Sequence, residues 1–271
     1  MERIKEALEK ARLQQGESPG RTSARPHNPP TGEVGVDDVP ITYSQTKVQT
    51  LSPAVLKRNR VFVGTEQDAA ATAYKMLRTQ VLQRMVAKGW NALAITSPGP
   101  GHGKTLTAIN LAFSLAKEVH YTVLLVDLDM KRPSIHSYLG LTPAKGISDF
   151  MLRGTPLNEV MINPGVERLV ILPGRESLAD SSELLSSPKM AQMVDELKSR
   201  YPSRFILFDL PPLLSASDAM AFAPYVDAAL MVIEEGKTKK EELQNALGLM
   251  GQTEIIGTVL NKSHEKVDPY Y

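Results

Sequence analysis

Short apolar runs alternate with segments of helical period along most of the chain. Leu93 to Ile95, Val123 to Val126, Leu169 to Leu172, Phe205 to Phe208, Ala228 to Ile233 and Ile255 to Leu260 each have the length and composition of a buried strand. Between them, Ala70, Ala73, Met76, Leu77, Val81, Leu82 and Met85 recur at helical spacing, which predicts a long helix over 66–86. Leu106, Ile109, Asn110, Phe113 and Ala116 do the same after Lys104, and further helices are predicted over 187–200, 217–223 and 239–250. Strands alternating with helices imply right-handed crossovers and an α/β fold, a mostly parallel sheet with helices on both faces. Such sheets bind ligands at the carboxyl ends of their strands, which brings Ser97, Asp127 and Asp209 around one predicted crevice.

The chain before this alternation reads differently. Residues 1–15 place Ile4, Leu8 and Ala11 on one face of a short amphipathic helix, which is marginal in isolation and reads equally as a fraying end or a partner-docking helix. From Gly16 to about Pro40 the chain is rich in Pro, Gly, Ser and Thr and nearly lacks large apolar residues, the composition of a linker. Leu51 to Leu56 reads as a short docking segment. The expected organisation is a helix and linker over 1–50, a nucleotide-binding domain over 51–262 and a short tail over 263–271.

Composition narrows the picture. The 271 residues, 42% of them hydrophobic, suit one large α/β domain with an appendage. A formal net charge of +1 gives no electrostatic case for nucleic acid. The absence of Cys excludes disulfides and thiolate metal sites and is compatible with a reducing cytoplasm. No apolar run is long enough to span a bilayer, and the alternating charges from Glu2 to Arg12 are not those of a signal peptide, so a membrane role would run through a partner.

The chemistry is concentrated where three runs end. Pro98-Gly-Pro-Gly-His-Gly-Lys-Thr105, between a strand and a helix, departs from G-x-x-x-x-G-K-[ST] only in having Pro98 for the first glycine. Its backbone N–H groups, from Gly99 through Gly101, His102 and Gly103 to Leu106, are expected to cradle phosphates at the helix start, with His102 facing solvent. Lys104 would reach the β- and γ-phosphates, and Thr105 would ligate Mg²⁺. Asp127 and Asp129 lie two residues apart where the second run ends; we assign Asp127 to the metal shell and Asp129 to the nucleophile, the alternative being a helix cap or a pairing with Lys131 or Arg132. Asp209 closes Phe205 to Phe208 as a Walker-B carboxylate on Mg²⁺, and Pro211 and Pro212 stop that strand.

These three motifs, with Pro133 to Gly140 after the second, resemble the bacterial tyrosine autokinases of exopolysaccharide and capsule synthesis over about 66–262. The first helix and linker resemble the soluble, exosortase-associated type. The resemblance implies a P-loop NTPase fold and Mg·ATP held by Lys104, Thr105, Asp127 and Asp209. It further implies Asp129 as the base for a tyrosine hydroxyl, Asn261 at the adenine edge, and Tyr270 and Tyr271 as phosphoacceptors. A homo-oligomer and the cytoplasmic segment of a membrane polysaccharide co-polymerase are the implied partners, with a cytoplasmic location at the inner membrane through that partner. The family's Glu-x-x-Arg-x-x-Arg ring motif is Thr72, Lys75 and Arg78 here, matching only at Arg78. Two other readings stay open, an ATPase switch in the same pathway that transfers nothing to tyrosine and a partition-type ATPase; against the latter stands Gly99, where those proteins carry a signature lysine.

Overall fold

The computed structural model describes residues 47–63, 68–201 and 203–264. The expected first helix and linker, the residues 66 and 67 that open the predicted long helix, and Tyr270 and Tyr271 lie outside them. All six predicted strands form: β2 (Ala92–Thr96), β3 (Thr122–Asp127), β5 (Leu169–Leu172), β6 (Arg204–Asp209), β7 (Ala228–Glu234) and β8 (Glu254–Asn261). Two two-residue strands, β1 (Lys47–Val48) and β4 (Ile162–Asn163), extend one edge. The order is β1-β4-β5-β3-β6-β2-β7-β8, parallel throughout except for one antiparallel pair, Ile162 with Ile171.

Every side chain of β2 is buried, so the strand that feeds the glycine loop lies in the middle of the sheet and is covered on both faces. Period two sorts its residues: Ala92 and Ala94 join Leu124, Val126 and Phe208 in one core, while Leu93 and Ile95 join Val123, Leu125 and Leu207 in the other. The second core is closed by α2 (Ala69–Ala87), through Val81 and Met85, and by α3 (Lys104–Leu115), through Ile109 and Phe113. The helix α1 (Pro53–Arg58) sits on this face by burying Leu56, which fits the expected docking segment. On the opposite face lie α8 (Pro188–Arg200), the short α9 (Asp218–Phe222) and α10 (Lys240–Leu249), contributing Met190, Phe222 and Ala246.

Local chemistry sets the helix starts. Asp68 caps α2 by accepting from the Ala70 N–H at 2.7 Å, and Ser187 caps α8, whose first residue is Pro188. The helix α3 differs: its cap is Gly103 at φ 93°, with no side-chain bond to its first-turn N–H groups. Those donors are left for a ligand. Four helices that the apolar pattern did not predict, α4 (Ile135–Leu139), α5 (Ile147–Arg153), α6 (Leu157–Val160) and α7 (Ser181–Leu185), are only four to seven residues long. No helix among the described residues is long and apolar enough to cross a membrane.

Candidate active site

Parallel pairing places the acidic strand ends side by side, with Asp127 opposite Asp209 and Asp209 opposite Ile95. The loop from Ser97 to Gly103 leaves β2 directly above them. It is shaped from within, by Ser97 Oγ donating to the Gly99 carbonyl at 2.8 Å, and from the segment after β6, where the Leu213 and Leu214 N–H groups donate to Ser97 and Pro98 carbonyls. Gly101 and Gly103 take φ of 77° and 93° on either side of His102, a backbone alternation that turns successive N–H groups into one concavity. His102 corrects the sequence expectation. It is only 3% exposed, because Nδ1 folds back to accept from the Gly99 N–H at 3.4 Å, and burial, followed by the positive charge of Lys237, lowers its pKa.

Lys104 and Thr105 meet the carboxylates beneath the loop. The Lys104 ammonium lies 2.8 Å from Asp129 Oδ2 and 3.3 Å from Asp209 Oδ1, and Thr105 Oγ1 donates to Asp209 Oδ2 at 2.7 Å. Burial alone would lower the Lys104 pKa, but the charges of Asp209 and Asp129 raise it. Asp127 is fully buried; burial and the neighbouring Asp209 push its carboxyl up to about 8. Burial likewise raises Asp209, against the opposing pull of Lys104.

The two Asp127 oxygens differ. Oδ2 accepts from the Ser134 and Ile135 N–H groups at 2.9 and 3.0 Å, so this residue tethers the start of α4. Oδ1 is buried with no hydrogen-bond partner, an arrangement that costs free energy unless a cation or an ordered water satisfies it. Asp129 makes a local cap-like contact, Oδ1 accepting from the Arg132 N–H at 3.1 Å, while Oδ2 pairs with Lys104 and not with Lys131 or Arg132.

Lys104, Thr105 and Asp129 line a cleft of about 1730 Å³, bounded by Gly101, Gly103 and Leu106 on one side and by the 258–264 segment on another. The cleft continues along the face of α2 that carries Ala69, Ala73 and Leu77. Asn261 lines it and donates through Nδ2 to the His102 carbonyl at 2.8 Å. Among the described residues no three acidic or His side chains form a ready-made metal cage. A hydroxyl, two carboxylates behind it and an unpartnered oxygen instead match Mg²⁺, which takes few protein ligands and completes its shell with phosphate and water.

Several site residues escaped sequence reasoning. Lys262, next to Asn261, donates to the Gly101 carbonyl at 2.9 Å, and Lys131 lines the cleft while pairing at 3.1 Å with the fully buried Asp218. Gly174 backs the Asp127 loop so closely that a Cβ would fall 2.3 Å from Pro133. Only the last had a visible signal, a Pro-Gly pair directly after an apolar run. Arg78, the one ring-motif match, bonds within its own chain, to the Ser114 carbonyl at 3.1 Å and Glu118 at 2.9 Å.

Comparison with known proteins places this architecture. An AAA domain family matches residues 91–259. The chain is 27% identical over 208 residues to the tyrosine-protein kinase YwqD of Bacillus subtilis, covering 76% of this chain and 86% of that protein. It is 29% identical over 201 residues to the putative tyrosine-protein kinase CapB of Staphylococcus aureus, covering 73% and 87%. The crystal structure of the VpsO kinase domain superposes with a TM-score of 0.64 at 29% identity, covering 72% of this chain and 96% of that one.

Proposed function

The chain belongs to the AAA-domain family, on the branch of the bacterial tyrosine-protein kinases, and from that premise we propose that it is an ATP-dependent protein-tyrosine autokinase regulating exopolysaccharide biosynthesis and export. The observation that carries this reading is the meeting of Lys104, Thr105, Asp129 and Asp209 under a glycine loop whose helix N–H groups lack a side-chain cap. Phosphoryl transfer asks a protein mainly for positioning and charge stabilisation, and this geometry supports both.

The loop N–H groups and Lys104 hold the β- and γ-phosphates. Thr105 Oγ1, with Asp209 and Asp127, would hold Mg²⁺, which would neutralise charge on the phosphates. Asp129, at the cleft floor, accepts the proton of a tyrosine hydroxyl as its oxygen bonds to the γ-phosphorus and the bridge to the β-phosphate breaks, leaving ADP and phosphotyrosine. Lys104, held between Asp129 and Asp209, is placed to follow the charge that moves between the transferred group and the base.

The acceptors in this reading are Tyr270 and Tyr271. The activator is the cytoplasmic segment of a membrane co-polymerase, which would hold the protein at the inner membrane. Intact-mass measurement after incubation with Mg·ATP tests it: the expected result is a discrete phosphorylated species that disappears when both tyrosines are Phe. ATP consumption with no mass gain, even beside a membrane activator, would replace the kinase with an ATPase switch.

A further inference from the structure

The far side of the phosphate loop is gripped by residues from another strand. β8 ends at Asn261, whose Nδ2 donates to the His102 carbonyl at 2.8 Å; the next residue, Lys262, at φ 57°, extends its ammonium to the Gly101 carbonyl at 2.9 Å and to Glu234 at 3.0 Å. Glu234 also pairs with Lys237 at 3.3 Å, and the Asn261 carbonyl accepts from the Glu235 N–H at 3.1 Å. The strand end is therefore fixed at both its side chains and its backbone.

Peptide geometry gives these contacts a consequence. In a trans peptide the C=O and the following N–H point in opposite directions. Tying the Gly101 carbonyl outward turns the His102 N–H inward, and tying the His102 carbonyl outward turns the Gly103 N–H inward. Both amides then face the phosphate cradle. The fit is close: a Cβ on Gly103 would lie 2.0 Å from Asn261 Nδ2, so the glycine is required by this brace as well as by its positive φ.

We propose that Asn261 and Lys262 are positioning residues that orient the loop amides for phosphate, so that Asn261 acts on the loop and not on the nucleotide base. This rests on the crevice being a nucleotide site. It also joins the loop to the first residues of the tail, since His264 lies two residues after Lys262 and its N–H donates to Glu235 at 2.6 Å.

The two roles for Asn261 separate by ligand. Affinities of the full chain for Mg·ATP, Mg·GTP and Mg·tripolyphosphate would be measured by calorimetry for wild type, Asn261→Leu and Lys262→Met. Asn261→Leu keeps the size, adds no charge and loses the donor. Lys262→Met keeps the stem at a half-exposed position and tests the brace independently should the first variant not fold. Both variants are expected to weaken all three ligands by one common factor, about three- to tenfold, the effect of losing one net hydrogen bond. The ATP-to-GTP ratio should stay at its wild-type value. A loss confined to ATP would overturn the proposal by showing that Asn261 reads adenine, and unchanged affinity for all three in both variants would overturn it too. Failure of the wild type to bind Mg·ATP would instead overturn the nucleotide-site reading beneath it.

Discussion

Replacing Lys104 by Met keeps an unbranched stem under the loop and removes the cation that sits between two carboxylates, at 2.8 Å from Asp129 and 3.3 Å from Asp209. Lys104 is 8% exposed, so the change acts on folding as well as on chemistry. Breaking a buried pair by deleting one partner costs about 3–5 kcal/mol when the other charge stays ionised. Here the carboxylates have a way out. Burial and Asp209 push Asp127 up to about 8, burial raises Asp209 as well, and without Lys104 both move higher, so they take up protons more readily than ordinary carboxylates. The stability loss should therefore fall at or below the low end of that range near neutral pH, read as a shift in the urea midpoint. Transfer has no such relief, because the charge moving off the γ-phosphate loses its fixed partner. Removing one preorganised donor of this kind lowers kcat by about 10²–10³. The assay is single-turnover phosphorylation followed by intact mass, on protein shown to be folded by its denaturation curve. A folded Lys104→Met protein with kcat within a factor of ten of wild type would refute the assignment.

Asp127 and Asp129 should separate in function. Asp127→Asn, at the buried oxygen with no partner, is expected to weaken Mg²⁺ dependence and nucleotide affinity together, whereas Asp129→Asn should bind Mg·ATP and lose transfer; equal losses of affinity in equilibrium dialysis would void this division. Tail phosphorylation should occur between molecules: a Lys104→Ala chain with its tail intact should gain phosphate when mixed with an active chain carrying Phe at 270 and 271, and a lack of phosphate there in every mixture would count against transfer in trans. Away from the site, burial would raise the Asp149 carboxyl, but hydrogen bonds from Arg175 and the Gly146 N–H outweigh it and hold the pKa below the ordinary 3.8. Its folded value being depressed, the stabilisation is present above 3.8 and is lost as pH falls through the lower folded value. Asp149→Asn should thus cost about 1–3 kcal/mol at pH 7, shrinking toward zero in acid, and a difference from wild type that does not change between pH 7 and pH 2 would contradict the linkage.

What the sequence disclosed and what it concealed follow from the range of the interactions concerned. The central strands were legible because a strand covered on both faces is apolar along nearly all its length, as β2 is from Ala92 to Ile95, and the carboxylates were legible because parallel strands deliver their ends to one edge. The strands β1 and β4 could not be read, since two residues carry no period. His102 was misplaced because a polar residue in a glycine loop looks solvated until the loop folds its ring onto the Gly99 N–H. Asp127 and Asp129 resist a one-role description for a related reason. A carboxylate has two oxygens, and the fold uses one of each aspartate to hold local backbone, at Ser134 and Ile135 for the first and at Arg132 for the second, while the other is buried without a partner in Asp127 and pairs with Lys104 in Asp129. A capping role and a chemical role are therefore not competing explanations of these residues. The cap fixes the carboxylate's orientation, and in the proposed transfer that fixed orientation would leave the unpartnered oxygen of Asp127, and the Lys104-paired oxygen of Asp129, in place without reorganisation when charge moves.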